Sequence, residues 1–139
     1  MIRRKRQPMG QSLVEFALTL PMLILAITFF LDFGRAIYYY GALNNAIREG
    51  TRYSVVNPVK TSSEINNVVN LVKNRAIGLD LSALNVEVVP ATSSNPRVTI
   101  TATYVFRPVT PGLSRILGTG KQITLRARSS VAVAPVNMP

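Results

Sequence analysis

The chain has 139 residues, enough for one small domain and a membrane anchor. It contains no Cys, His or Trp, so catalysis or metal binding built on thiolate or imidazole is excluded. The formal charge of +10 fits either a solvated basic surface or attraction to anionic cell surfaces, lipids or nucleic acid. The sequence has no Arg-rich helix and no basic–aromatic alternation that would indicate specific nucleic-acid recognition.

The N-terminal segment combines a basic cluster with a long apolar run. Residues 16–31 carry no charge, and at 1.5 Å per residue they form roughly 24 Å of helix. Leu13, Val14 and Phe33 extend this run towards the roughly 30 Å of a bilayer core. Under the positive-inside rule, the basic cluster stays cytoplasmic and everything after Leu31 lies outside. The cluster consists of Arg3, Arg4, Lys5 and Arg6.

Glu15 is a lone carboxylate at the head of this apolar run. A charge in that position is costly and is usually functional. The order of basic leader, Gly10, four residues, Glu15 and apolar helix resembles a type IV prepilin, which implies cleavage after Gly10. Two other interpretations are a plain signal anchor with an incidental Glu15 and a cleaved secretory signal peptide. The peptide is disfavoured because the run is long and no A-x-A-like site follows it.

Cleavage after Gly10 would create a new amine at Gln11, four residues before Glu15. A carboxylate inside an apolar bundle needs a partner, and the amine of a neighbouring subunit is a suitable one. Such a pair would neutralise both charges and set the axial register of a filament.

The helical pattern continues beyond the apolar run. Spacing i,i+3 predicts the pairs Asp32–Arg35 and Glu49–Arg52. Asn57-Pro58 ends the pattern, which predicts one helix from Gln11 to about Val55. Pro21 predicts a kink. The apolar stripe expected to face the head is Ile37, Tyr40, Leu43 and Ile47. Tyr38, Tyr39 and Tyr40 suit either the membrane interface or packing on the head.

The remaining sequence predicts a small αβ head. Thr61-Ser62-Ser63-Glu64 is a capping box that begins a second helix, with Gly78 as its C′ residue. Alternation predicts strands over residues 84–89, 96–106 and 122–133. In the middle strand, Thr99, Thr101 and Thr103 are expected on a solvent face. The fold class is therefore α+β: a long N-terminal transmembrane and spine helix, a second short helix and a three-stranded antiparallel sheet, as in pilins.

Several segments together resemble the TadE-like family, the minor pilins or pseudopilins of tight-adherence (Flp-type) pili. They are Gly10-Gln11-Ser12-Leu13-Val14-Glu15-Phe16-Ala17, Leu20-Pro21, Asp32-Phe33-Gly34-Arg35, Ala42-Leu43-Asn44-Asn45-Ala46 and Arg48-Glu49-Gly50-Thr51-Arg52-Tyr53, and more weakly residues 104–111 and 123–127. Gln11 departs from the aromatic or Met that often begins mature type IV pilins.

The resemblance implies a domain order and a set of partners. The order is a leader at residues 1–10, a transmembrane helix at 11–33, its amphipathic extension at 34–57 and an extracytoplasmic head at 58–139. The partners are a prepilin peptidase, other pilin subunits, a pilus assembly platform with its ATPase, and membrane lipid. The protein would start as a single-pass inner-membrane protein, N-terminus in and C-terminus out, and then enter an extracellular pilus.

Two functions from different classes remain open. One is a filament subunit that primes, caps or joins a pilus used for adhesion. The other is a non-polymerising, membrane-anchored interaction module of an envelope or secretion assembly. The sequence predicts no enzyme, no cofactor and no metal, because no nucleophile–base constellation is visible and Asp80 and Glu87 are the only acids after Glu64.

Overall fold

A computed structural model describes residues 9–113, 115 and 122–133. Its helices are α1 (Met9–Val56) and α2 (Ser62–Arg75), followed by a short 3₁₀ turn at Leu81–Ala83. Its strands are β1 (Leu84–Val89), β2 (Arg97–Phe106) and β3 (Ile123–Ala132). The predicted α+β fold with two helices and a three-stranded antiparallel sheet is confirmed.

Helix α1 is continuous over 48 residues, roughly 72 Å at 1.5 Å per residue. It ends directly before Asn57-Pro58, as predicted. Inside the apolar part, the hydroxyls of Thr19 and Thr28 donate hydrogen bonds to helix carbonyls one turn earlier, which removes most of their polar cost in an apolar environment. The helix continues through Pro21, and the kink remains a prediction.

Helix α2 begins with the predicted capping box. The Glu64 N–H donates to Thr61 Oγ1 at 3.3 Å, and the Thr61 N–H donates to the Glu64 carboxylate at 2.8 Å. The backbone N–H groups of Lys60 and Thr61 lower the pKa of Glu64. The prediction for the other end was wrong by one position. The C-cap is Ala76, whose N–H reaches the carbonyls of both Val72 and Lys73, so Gly78, with φ of +83°, lies one residue beyond C′.

The sheet is a meander with β2 in the centre. β1 and β3 both pair with β2 in antiparallel fashion, with Val86 opposite Ala102 and Ala102 opposite Ala127. The predicted inner face of β2 is confirmed. All five of its residues are buried, namely Val98, Ile100, Ala102, Tyr104 and Phe106.

The prediction of a solvent-exposed threonine row was wrong. Thr99 and Thr101 are only 8% and 7% exposed. The register places Thr101 between Glu87 of β1 and Arg128 of β3, and directly paired residues lie on the same face of a sheet. Thr101 on the central strand is therefore flanked by the longer side chains of the two outer strands.

The predicted stripe of α1 was also wrong at its first two positions. Leu43 and Ile47 are buried as expected, but Ile37 and Tyr40 are 57% and 50% exposed. The face that meets the head combines large apolar or aromatic residues with small and polar ones. Its members are Asp32, Ala36, Tyr39, Leu43, Ala46, Ile47, Gly50 and Ser54.

The core lies between α1, α2 and the inner face of the sheet. Gly50 lies where α1 approaches both α2 and β2 closely. A Cβ added at Gly50 would lie 2.5 Å from Val72 Cγ2 and 3.1 Å from Ile100 Cδ1. On the other side of the core, the Thr51 hydroxyl lies 3.1 Å from the Ser129 hydroxyl. The outer half of α1 is therefore an integral part of the head.

Candidate functional site: the exposed apolar helix and its two polar ends

The N-terminal part of α1 carries a continuous exposed apolar surface. Its best 18-residue window has a mean hydropathy of 2.2, and none of that window is buried. Burying one large apolar side chain is worth about 1.5–3 kcal/mol, so this surface is stable only when lipid or protein covers it. The exposed side chains include Leu13, Val14, Phe16, Leu18, Met22, Leu23, Ile24, Ile27, Phe30 and Leu31.

Glu15 lies at the first end of this surface and is exposed. The backbone carbonyl of Glu15 accepts the Thr19 hydroxyl at 2.7 Å. Within residues 9–113, 115 and 122–133, the ion pairs are Asp32–Arg35 and Glu49–Arg52, so the Glu15 carboxylate has no cationic partner there. It is therefore available to a group from another molecule.

Gly10 and Gln11, the predicted processing site, belong to the first turn of α1 and are exposed. Gln11 is four residues from Glu15, which places both side chains on one face of the helix. A Cβ added at Gly10 would meet no atom within 4 Å, so the fold itself does not require glycine there. The basic cluster Arg3, Arg4, Lys5 and Arg6 lies outside the described residues.

Asp32 marks the second end of the apolar surface and is 1% exposed. Its carboxylate accepts hydrogen bonds from the N–H groups of Val109 at 3.0 Å and Thr110 at 2.7 Å. Arg35 donates to the same carboxylate at 3.1 Å. A buried carboxylate is stable only with such partners. Asp32 therefore fastens the loop after β2 to the helix at the point where the apolar run ends.

Aromatic rings pack beside Arg35 at this second end of the apolar surface. The guanidinium carbon of Arg35 lies 5.7 Å from the ring centre of Tyr39 and 5.4 Å from that of Phe106. Tyr39 also packs edge-to-face on Tyr104 at 5.4 Å. Hydrogen bonding by Tyr39 raises the pKa of Arg35 despite the partial burial of Arg35, so Arg35 is cationic at neutral pH.

The three tyrosines divide between the two expected roles. Tyr39 packs on the head. Tyr38 and Tyr40 are 56% and 50% exposed, although one edge of the Tyr38 ring lies against Gly78. Exposed tyrosines just beyond an apolar span fit a membrane interface because the ring is apolar and the hydroxyl is polar.

A cavity of about 440 Å³ adjoins this cluster, with Arg35, Tyr39, Asp80 and Arg107 among its lining residues. The hydroxyl and backbone N–H of Ser82 lower the pKa of Asp80, so its carboxylate already serves as a cap for the 3₁₀ turn. In the described part of the chain, no group of three or more His, Cys, Asp or Glu residues could hold a metal ion.

Sequence reasoning found the Asp32–Arg35 pair but missed its main role. Asp32 accepts hydrogen bonds from the N–H groups of Val109 and Thr110, which follow it by 77 and 78 positions in the chain. One local signal was present: an acid that directly follows a membrane-length apolar run must find partners or leave the membrane.

Comparison with known proteins agrees with this geometry. A family model described as TadE-like protein matches residues 10–52. This segment is TadE-like. The match begins at the predicted processing site and contains both polar ends of the exposed surface, Glu15 and Asp32. It covers just under a third of the chain, so the weaker resemblance at residues 104–111 and 123–127 remains a prediction.

No curated protein and no solved structure matches the chain. The TadE-like match and the single candidate membrane helix in the described residues indicate a membrane-anchored protein associated with Tad pili. They also indicate association with other components of that pilus system in general.

Proposed function

We propose that this TadE-like protein is a minor pilin or pseudopilin of a Tad pilus. A prepilin peptidase cuts it after Gly10, and the mature chain primes or enters a surface filament used for adhesion. Before assembly it is a single-pass protein of the inner membrane, with the basic leader in the cytoplasm and the head outside. It has no catalytic role.

One observation carries the proposal: the head closes its own core, while the apolar surface of residues 13–31 is not covered by the rest of the described chain. A plain anchor needs only lipid around such a surface. A pilin needs two environments in turn, lipid first and then the helices of neighbouring subunits. Glu15 fits the second environment better than the first, because it only adds cost in lipid.

The assembly contact joins Glu15 to the new amine of Gln11 in a neighbouring subunit. Four residues separate the two groups along α1, which is roughly 6 Å of axial rise. The neighbour's terminus therefore lies about one helical turn further along the filament. The value of this pair lies in fixing the register more than in raw stability.

The partners follow from these steps. They are a prepilin peptidase for cleavage, an assembly platform with its ATPase for extraction from the membrane, and other pilin subunits for the filament. The alternative is a non-polymerising anchored module whose head binds a partner of an envelope or secretion assembly. The self-contained core of the head is compatible with both functions, and assembly distinguishes them.

The experiment compares wild type with Glu15→Leu and Glu15→Gln in cells that make the pilus. Sheared filaments and membrane fractions are probed with an antibody against the head. Both variants are expected in the membrane at wild-type levels and cut after Gly10, because insertion depends on the apolar run. Both are expected to be depleted from filaments, since glutamine keeps the shape but removes the charge. Wild-type incorporation of both variants contradicts the pairing and favours the anchored module.

A further inference from the structure

The outer face of the sheet carries a row of exposed arginines. Arg126 and Arg128 alternate with inward residues on β3 and lie two residues apart, about 6.8 Å between their Cα atoms. Arg97 of β2 pairs with Ala132 of β3, and its guanidinium lies 3.4 Å from the Ser130 hydroxyl. The Arg97 guanidinium thus lies beside Ser130, and the three cations follow β3 from Arg126 to Ser130, a length of roughly 14 Å.

These charges are not neutralised within the head. The ion pairs of the described residues are Asp32–Arg35 and Glu49–Arg52, and neither involves this face. The single acid on this face is Glu87, which lies on β1 with β2 between it and β3. Strands are about 4.8 Å apart, so the acid is two strand spacings from the row. The face is thus predominantly cationic.

The orientation of this outer face relative to α1 determines which partners can reach it. Helix α1 packs on the opposite side of the sheet, where the Thr51 and Ser129 hydroxyls are in contact. Since a membrane-spanning helix stands within about 20° of the bilayer normal on average, the outer face of the sheet points sideways, parallel to the membrane plane. Lipid headgroups below the head are not presented to it.

We propose that this arginine row is a docking surface for a linear polymer that carries phosphate groups along its length. Guanidinium groups bind phosphate through paired N–H donors, which ammonium groups cannot match. A straight row of three arginines fits a polymer with repeated phosphate groups better than a single small anion. Thr99 and Thr101 on the central strand are short and buried, so they leave the middle of this face flat.

The test uses the full chain in zwitterionic detergent micelles and labelled inorganic polyphosphate, with binding followed by fluorescence anisotropy at several salt concentrations. Arg126→Gln/Arg128→Gln is expected to weaken binding at least tenfold and to lower the slope of log affinity against log salt by about 1.5. Arg126→Lys/Arg128→Lys keeps the charge and is expected to recover only part of the affinity.

The matched control, Arg48→Gln/Lys60→Gln, removes two exposed positive charges away from the sheet and is expected to change affinity less than twofold. Equal losses in both double variants mean that net charge alone attracts the polymer, and this overturns the proposal. The proposal is also overturned if Arg126→Gln/Arg128→Gln loses more affinity for anionic phospholipid vesicles than for polyphosphate. That result would favour a membrane surface as the partner. Unchanged near-ultraviolet circular dichroism confirms that each variant is folded.

Discussion

Replacing Gly50 by alanine tests the packing of α1 in the head. Glycine inside a helix costs about 0.5–1 kcal/mol relative to alanine, so the substitution is favourable for the isolated helix. In the head, however, the new Cβ would lie 2.5 Å from Val72 Cγ2 and 3.1 Å from Ile100 Cδ1. Both neighbours are fully buried, which leaves no free space for them to move into.

Overpacking of this kind costs about 1–3 kcal/mol. Gly41 provides the matched control, because it lies in the same helix and a Cβ there meets no atom within 4 Å. Gly41→Ala is expected to stabilise by about 0.5–1 kcal/mol. The gain in helix propensity is common to both variants, so the difference between them is the overpacking cost alone.

The assay is urea unfolding of the full chain in micelles, followed by near-ultraviolet circular dichroism of the packed tyrosines Tyr39 and Tyr104. Gly50→Ala is expected to unfold at lower urea than Gly41→Ala, with a free energy of unfolding smaller by about 1–3 kcal/mol. Equal or greater stability of Gly50→Ala would show that α1 does not approach α2 and β2 this closely.

Four further outcomes follow from the structure. Asp32→Asn is expected to cost about 1–3 kcal/mol because a buried network loses hydrogen bonds, and to speed amide exchange at Val109 and Thr110. Glu49→Gln breaks a more exposed ion pair and is expected to destabilise the fold clearly less than Asp32→Asn does. Thr61→Ala is expected to destabilise by about 1 kcal/mol through the lost cap. The folded-state pKa of Glu64 lies below its ordinary value of 4.5. The contribution of Glu64 to stability is therefore present above that value and is lost as the pH falls through the lowered pKa. Glu64→Gln should make the free energy of unfolding less dependent on pH in the acid range, and an unchanged dependence contradicts this assignment. Gly10→Leu is expected to fold and insert normally, since nothing lies near a Cβ there, but to accumulate as uncut precursor on immunoblots; normal cutting would remove Gly10 from the processing site.

The strands could be predicted to within one residue because the alternation over residues 97–106 is strong and each turn carries its own signals. The helix ends could be predicted where the cap chemistry is local, as at Thr61 and Asn57-Pro58. These features depend on neighbours in the chain, which the sequence lists directly.

Features that depend on distant neighbours could not be predicted. Around residues 37–40 the helix carries apolar or aromatic side chains on several faces. The positions of the large residues therefore did not determine which face of α1 packs on the head. The inward face is decided by small residues, because Ala36, Ala46 and Gly50 let the head approach. Likewise, the burial of Thr101 depends on the lengths of Glu87 and Arg128, which only the strand register brings beside it.

The most direct test of the central claim is the mass of the chain recovered from purified, sheared filaments. The chain is expected there, beginning at Gln11, and the uncut chain beginning at Met1 is expected only in membranes. Recovery of only the uncut chain, or absence of the chain from filaments that assemble normally, would contradict the claim that it is a processed pilus subunit.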